Sequence, residues 1–129
     1  MKGLAASTKD ASSNPSTLLP ERLVRQFFLG FVRIHILHHA AMEPVTGVSL
    51  SEELKRHGYK LSPGTLYPIL HALTVAGYLR STRLLHAGRV RKPYVVTNLG
   101  RRALRRARKQ IIELVAEVLE HHDRKPMRT

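Results

Sequence analysis

The chain of 129 residues contains no cysteine, which excludes a disulfide framework and a thiolate metal site. It also lacks tryptophan. No apolar run approaches the roughly 20 residues that a membrane span requires, and no cationic leader precedes an apolar segment. We therefore expect a cytoplasmic protein that makes no use of a membrane.

Acidic residues are rare and unevenly distributed. From Leu54 to Ile112 there is not one Asp or Glu, whereas 14 Lys and Arg residues lie there, and the net charge of the chain is +13. A long segment of one charge sign repels itself unless a polyanion neutralises it, and nucleic acid is the commonest such partner. The charge distribution thus favours nucleic acid over an anionic membrane or an acidic protein as the partner.

Motifs for catalysis are missing as well. The sequence has neither a nucleophile elbow nor a glycine-rich loop that could cradle a phosphate, and its acid-free middle offers no carboxylate. We therefore predict that the chain is not an enzyme, and we assign it no cofactor.

Hydrophobic periodicity predicts two helices in the first half of the chain. The first runs over about 20–41, and its apolar residues are so dense that we expect it to be largely buried. The second runs over about 49–57, with Ser49 or Ser51 as its N-cap and Gly58 as its terminator.

A third helix is predicted to begin after Ser62, a candidate N-cap. Pro63 follows at the first helical position, where its missing N–H costs nothing. Gly77 ends this helix. Its expected buried stripe consists of Leu66, Ile69, Leu70, Leu73 and Ala76.

Residues 78–99 alternate in polarity and are rich in strand formers. Gly88 supplies a turn between them, so the pattern predicts a β-hairpin with a basic tip. Thr97 or Asn98 then caps a last helix that reaches about His122.

The order of these elements is that of a winged helix-turn-helix, a mainly α fold with a small β-hairpin and, here, an added C-terminal helix. The predicted organisation is a tail over 1–17, the winged domain over 18–98, the C-terminal dimerisation helix over 99–122, and a second tail over 123–129. Both tails are aperiodic, so we expect them to be disordered.

Two segments, HGYKLSPGTLYPILHALTVAGYL and GRVRKPYVVTNLGRRAL, resemble the PadR-type transcriptional regulators of bacteria. The resemblance covers about residues 30–120, and the single short C-terminal helix is similar to that of the smaller PadR subgroup. It implies a winged-helix homodimer that acts on transcription, usually as a repressor. The matching positions are Gly58-Tyr59, Leu61-Ser62, Gly64-Thr65-Leu66-Tyr67-Pro68, Gly77, Tyr94 and Thr97.

In such a regulator the third helix lies in a groove of the DNA. This position explains why the helix contains two residues that helices disfavour. Gly64 and Pro68 cost about 1 and 3 kcal/mol inside a helix. Gly64 permits close approach to the nucleic acid. Pro68 has no N–H to donate to the carbonyl of this same glycine and crowds it, and the missing Cβ of Gly64 avoids further strain.

The predicted contacts with double-stranded DNA lie on the third helix and on the wing. Tyr67 has a second interpretation as a packing residue. Because the helix offers no Arg, Asn or Gln for bidentate base contacts, we expect DNA shape and phosphate contacts to carry much of the affinity. The candidates are Lys60, Ser62, Thr65, Tyr67, His71, Arg89, Arg91 and Lys92.

Apolar residues of the last helix recur at steps of three and four, as a helix pair requires. We expect them to pair with a second copy of the chain, although the same stripe could fold back on its own domain. The predicted dimerisation residues are Leu104, Ile111, Leu114, Val115 and Val118.

A histidine cluster in the first helix leaves a second hypothesis open. His35 and His39 share a helical face, with His38 beside them, and His121, His122 or a Glu could complete a metal site. The helix has no Cys and no nearby acid, so we assign no metal. A metal-responsive regulator and a non-specific architectural DNA-binding protein remain the alternative functions. The sequence does not identify an effector, which could be a small molecule, a metal ion, a protein or none.

Overall fold

The computed structural model describes residues 15–86 and 88–120. It is mainly helical with one small antiparallel hairpin, which confirms the predicted fold class. In this part of the chain no helix is long and apolar enough to cross a membrane. The elements are α1 (Pro15–Met42), α2 (Gly47–Arg56), α3 (Pro63–Val75), β1 (Leu79–Ser81), β2 (Leu84–His86), β3 (Arg89–Arg91), β4 (Tyr94–Val96) and α4 (Asn98–Leu114), which continues as a π-helical segment, Val115–Glu120.

The chain forms two compact units, one up to Arg33 and one from Ile34 onward. The first contains the beginning of α1, which starts at Pro15 and so inside the segment predicted as a tail. Residues 1–14 and 121–129, with the remainder of both predicted tails and the predicted end of the last helix, lie outside the described residues.

The apolar residues in this first part of α1 are largely uncovered. Leu23, Phe27 and Phe31 are 50%, 51% and 48% exposed, so the prediction of a largely buried helix is wrong here. A dense apolar sequence indicates that a helix needs a covering surface, which these three side chains do not have among the described residues.

The second unit contains a hydrophobic core built by every one of its helices and by the stem of the hairpin. Burying one such side chain fully stabilises the fold by about 1.5–3 kcal/mol. The core residues from this unit are Ile36, Leu37, Ala40, Val45, Leu50, Leu54, Leu66, Ile69, Leu70, Leu73, Leu79, Val96 and Leu104.

Helix α2 begins earlier than predicted, because its N-cap is Thr46 and not Ser49 or Ser51. The Ser49 N–H donates to the Thr46 hydroxyl at 3.1 Å, and the Thr46 N–H donates to the Ser49 hydroxyl at 2.9 Å. This reciprocal pair satisfies two N–H groups that the helix leaves unbonded. The helix ends at Arg56 with His57 as its C-cap, and Gly58 follows as the predicted terminator with φ +89°.

Helix α3 follows the prediction closely. Ser62 is its N-cap and Pro63 its first residue, and the four leucine and isoleucine residues of the predicted stripe are buried. Ala76 is exposed and caps the C-terminus, so it does not belong to the stripe. Gly77 follows with φ +91°, which only glycine adopts without strain.

The predicted hairpin consists of two tiers. The inner tier pairs β1 with β4 and the outer tier pairs β2 with β3, both antiparallel. Thr97 fastens the stem to the helices on either side: its hydroxyl accepts from the Gly100 N–H at 3.0 Å, capping α4, and donates to the Gly77 carbonyl at 2.6 Å. Of the two predicted caps, Thr97 is therefore the one used.

Candidate nucleic-acid interface

The stem of the wing is hydrogen-bonded to Val45, two residues before α2 begins. The Val45 N–H donates to the Tyr94 carbonyl at 3.0 Å, and the Tyr94 N–H donates to the Val45 carbonyl at 2.6 Å. Because β4 continues directly into the basic strand β3 through Lys92 and Pro93, this bridge brings the wing beside the first turn of α2.

A surface cavity of about 580 Å³ lies where α2, α3 and the wing meet. We call it the α2–wing cavity. It brings together four of the predicted DNA-contacting residues, all of them exposed. Its lining includes Thr46, Gly47, Tyr67, Tyr94, Arg89, Arg91 and Lys92.

Tyr67 fits both interpretations that the sequence left open. Its side chain is 43% exposed, and its phenol also packs so closely on Gly47 that a Cβ at that glycine would overlap it. The hydroxyl is thereby held at the N-terminus of α2. No signal in the sequence indicated this packing role of Gly47.

The electrostatics of the α2–wing cavity favour an anion. Three cationic side chains face the first turn of a ten-residue helix, whose N-terminus carries a partial positive charge. Among the described lining residues there is no Asp or Glu. Burial raises the pKa of the Tyr94 phenol above its usual value, with Tyr67 adding to the effect, so this hydroxyl stays neutral and can donate.

The other predicted contact residues lie outside the described lining of the cavity. Lys60, Ser62 and His71 are exposed, and Thr65 is half-buried. The Ser62 and Thr65 hydroxyls are 3.2 Å apart at the start of α3. Gly64 lies between them, and among the described residues a Cβ there would meet the Ser62 hydroxyl at 3.8 Å and no nearer atom of another side chain.

Comparison with known proteins identifies the chain. The model of the transcriptional regulator PadR-like family matches residues 36–106. A transcriptional regulator of Mycobacterium tuberculosis, Rv3488, is 50% identical over 96 residues, which cover 74% of this chain and 90% of that protein. The chain belongs to the PadR-like family of transcriptional regulators.

Solved structures agree with this assignment. A PadR family regulator from Eggerthella lenta is 26% identical with a TM-score of 0.69, covering 85% of this chain and 97% of the other. A PadR-like regulator from Bacillus cereus is 25% identical with a TM-score of 0.72, covering 78% and 99%. The predicted winged helix, DNA binding and role in transcription regulation are confirmed at this level.

The C-terminal helix of this PadR-like regulator carries exposed apolar residues on one of its faces. Leu104, which we predicted to contact a partner, is only 3% exposed and packs in the core of its own chain, so that prediction is corrected. The exposed part of the stripe starts about two turns later, at Ile111. We call it the α4 seam, and it consists of Ile111, Leu114, Val115 and Val118.

The histidine cluster of α1 does form a packed group. The rings of His35 and His39 stack with centroids 6.1 Å apart, and His38 lies edge-on to His39 at 5.0 Å. The sequence did not reveal that α2 adds Glu53 and that His57 follows it. The ring centroid of His57 is 5.3 Å from that of His35.

Burial and charge act together in this cluster. Burial lowers the pKa of His39 below its usual value, with the Glu53 carboxylate opposing part of the effect. Burial and then the neighbouring His57 lower the pKa of His35. A hydrogen bond from the Arg56 guanidinium lowers the pKa of Glu53 and keeps that carboxylate ionised.

Proposed function

We propose that this PadR-like regulator is a sequence-specific repressor that acts as a homodimer on double-stranded DNA in the cytoplasm. The observation that carries the proposal is the α2–wing cavity, where Tyr67 of the third helix lies beside Arg89, Arg91 and Lys92 of the wing. These residues belong to the acid-free part of a chain with net charge +13.

In this proposal the cavity receives the DNA backbone. Phosphates are bound by cationic side chains and by helix N-termini, and both are present at the start of α2. Each phosphate that a Lys or Arg neutralises releases condensed counterions, so affinity falls steeply with salt. The wing thus supplies most of the affinity and fixes the position of the protein on the duplex.

Sequence discrimination then falls to α3 and to the shape of the DNA. The exposed side of this helix carries Gly64, Tyr67 and Pro68, which lack the long amide or guanidinium groups that read bases in pairs. The small residues let the helix backbone approach the groove closely. Discrimination by groove shape and deformability is therefore expected to outweigh direct base contacts.

Dimerisation is supported by the α4 seam and by the uncovered part of α1. Ile111, Leu114 and Val118 are 39%, 55% and 54% exposed, a pattern that a partner helix would cover. One small module binds DNA weakly, and a second copy doubles the number of half-sites that are contacted. We propose that the seam pairs with the Phe27 and Phe31 region of the partner chain.

The test is a gel shift with untagged protein, a fragment upstream of its own gene and unrelated DNA of equal length as competitor. We expect the upstream fragment to resist competition, and transcription from it in vitro to fall as the protein occupies it. Equal competition by both DNAs would instead indicate the architectural protein. The comparisons favour neither that alternative nor a metal-responsive regulator built on His35, His38 and His39.

A further inference from the structure

We propose that His39, Glu53 and His57 form a binding site for a divalent transition-metal ion of the zinc type. Each offers one ligand atom, and these atoms all lie within 4.8 Å of one another. The three residues come from the end of α1, from α2 and from the residue at which α2 ends. The site differs from the cluster within α1, since two of its three ligands lie on another helix.

The distances suit a single small ion. Ligand atoms around a tetrahedral zinc with bonds of 2.0–2.2 Å are about 3.3–3.5 Å apart. The Nε2 atom of His57 lies 3.4 Å from the Glu53 Oε2, and the Nε2 atom of His39 lies 3.9 Å from the same oxygen. Closing the longer of these two separations needs a movement of about half an ångström, which a small rotation of Glu53 can supply, and the exposed His57 side chain can follow it.

One atom of the group is otherwise left unsatisfied. The Nε2 atom of His39 is buried and, among the described residues, faces no hydrogen-bond partner. A buried polar atom without a partner destabilises the fold unless something binds it. An ion between His39 and Glu53 would satisfy this atom.

The surrounding residues hold the ligands in place. Arg56 binds the Glu53 Oε1 and leaves Oε2 turned toward both imidazoles. The His35 ring stacks on His57 with centroids 5.3 Å apart and on His39 at 6.1 Å. Outer partners of this kind orient metal ligands and raise the affinity.

Charge and access support the same conclusion. A cavity of about 400 Å³ opens beside His39 and Glu53 and is also lined by Glu43 and Glu52. Three of the nine acidic residues in the whole chain thus surround one opening in an otherwise basic protein. Two imidazoles and one carboxylate suit zinc and its neighbours better than magnesium or calcium, which take oxygen ligands.

The test uses the untagged full-length protein, because a polyhistidine tag would itself bind the metal. After treatment with a chelator, ZnCl₂ is titrated by calorimetry, and CoCl₂ is added separately to record the visible absorption of four-coordinate cobalt. We expect one zinc per chain and a rise in the thermal unfolding midpoint. His57→Ala and Glu53→Gln should each lower zinc affinity by at least about tenfold, a loss that even an outer-partner change commonly causes.

His38→Ala and His71→Ala are the matched controls. His38 lies in the same helix beside His39 but outside the triad, and His71 lies on α3. Both should bind zinc as the unmodified chain does. Absence of stoichiometric binding, or binding that survives both triad substitutions, would overturn the proposal, as would equal losses in the controls. The unfolding midpoints of all variants without zinc show whether a lost signal reflects lost folding, and the result does not depend on whether the chain binds DNA.

Discussion

Replacing Gly64 by alanine should separate folding from DNA binding. In the part of the chain that the structure describes, the added Cβ would meet the Ser62 hydroxyl at 3.8 Å, which is an ordinary contact. Gly64 is not one of the glycines with positive φ. Alanine is favoured over glycine in a helix by up to about 1 kcal/mol. Gly64→Ala should therefore leave the free protein as stable as before or stabilise it by up to about 1 kcal/mol.

The same methyl group should weaken the complex. It would stand on the exposed side of α3, where the backbone is proposed to meet the groove, and overfilling a packed contact costs about 1–3 kcal/mol. We expect affinity to fall by about tenfold, which corresponds to 1.4 kcal/mol. Gel shifts at one low salt concentration measure the affinity, and urea unfolding followed by circular dichroism measures the stability.

Gly58→Ala is the matched control. A Cβ there has no described atom within 4 Å, but its φ of +89° strains any residue with a side chain. We expect it to lower stability by about 1–2 kcal/mol while the folded protein binds DNA normally. The reasoning is refuted if Gly64→Ala destabilises the chain, or if it binds the upstream DNA as tightly as the unmodified protein does.

Three further predictions concern the wing, the α4 seam and the cap of α4. Arg91→Ala should weaken DNA binding and reduce the slope of log affinity against log salt concentration by about 1. Arg105→Ala on α4 is the control, and an equal reduction of the slope for this variant would argue against a contact specific to the wing. Leu114→Asp should give a monomer by light scattering, with Lys109→Asp on the opposite face as the control, and a persisting dimer would contradict the seam. Thr97→Val removes the cap of α4 and the bond to the Gly77 carbonyl, so it should lower the free energy of unfolding by about 1–3 kcal/mol at a fixed protein concentration. Thr97→Ser keeps the hydroxyl and should restore most of this loss. Full stability of Thr97→Val would show that these bonds contribute little.

Local signals in the sequence predicted much of the fold. Ser62 and Pro63 mark the start of α3, and Gly77 and Thr97 mark the next two boundaries, because each acts on its own backbone or on that of near neighbours. The cap of α2 was missed for the same reason. A Thr followed three residues later by Ser forms a reciprocal cap here, whereas the usual pattern has Glu or Gln at the later position.

Features that depend on distant parts of the chain were harder to predict. The spacing of Leu104 is that of the seam, but the position of α4 against the stem of the wing buries it. Glu53 and His57 stand 14 and 18 residues after His39, and the chain leaves α1 between His39 and these two residues. Only the packing of α2 against the end of α1 brings them together. Likewise, the contact of Tyr67 with Gly47 requires the crossing of two helices.

The two tiers of the wing divide it into an anchored part and a free part. Two backbone bonds to Val45 and the Thr97 hydroxyl hold the inner tier, whereas three residue pairs of its own hold the outer one. Insertions, deletions or replacement of the tip can therefore change the length of the basic outer tier without destabilising the helices. Within one scaffold, a change in this outer hairpin would thus alter the proposed hold on the DNA backbone at little cost in stability, and the proposed reading of sequence by α3 would stay as it is.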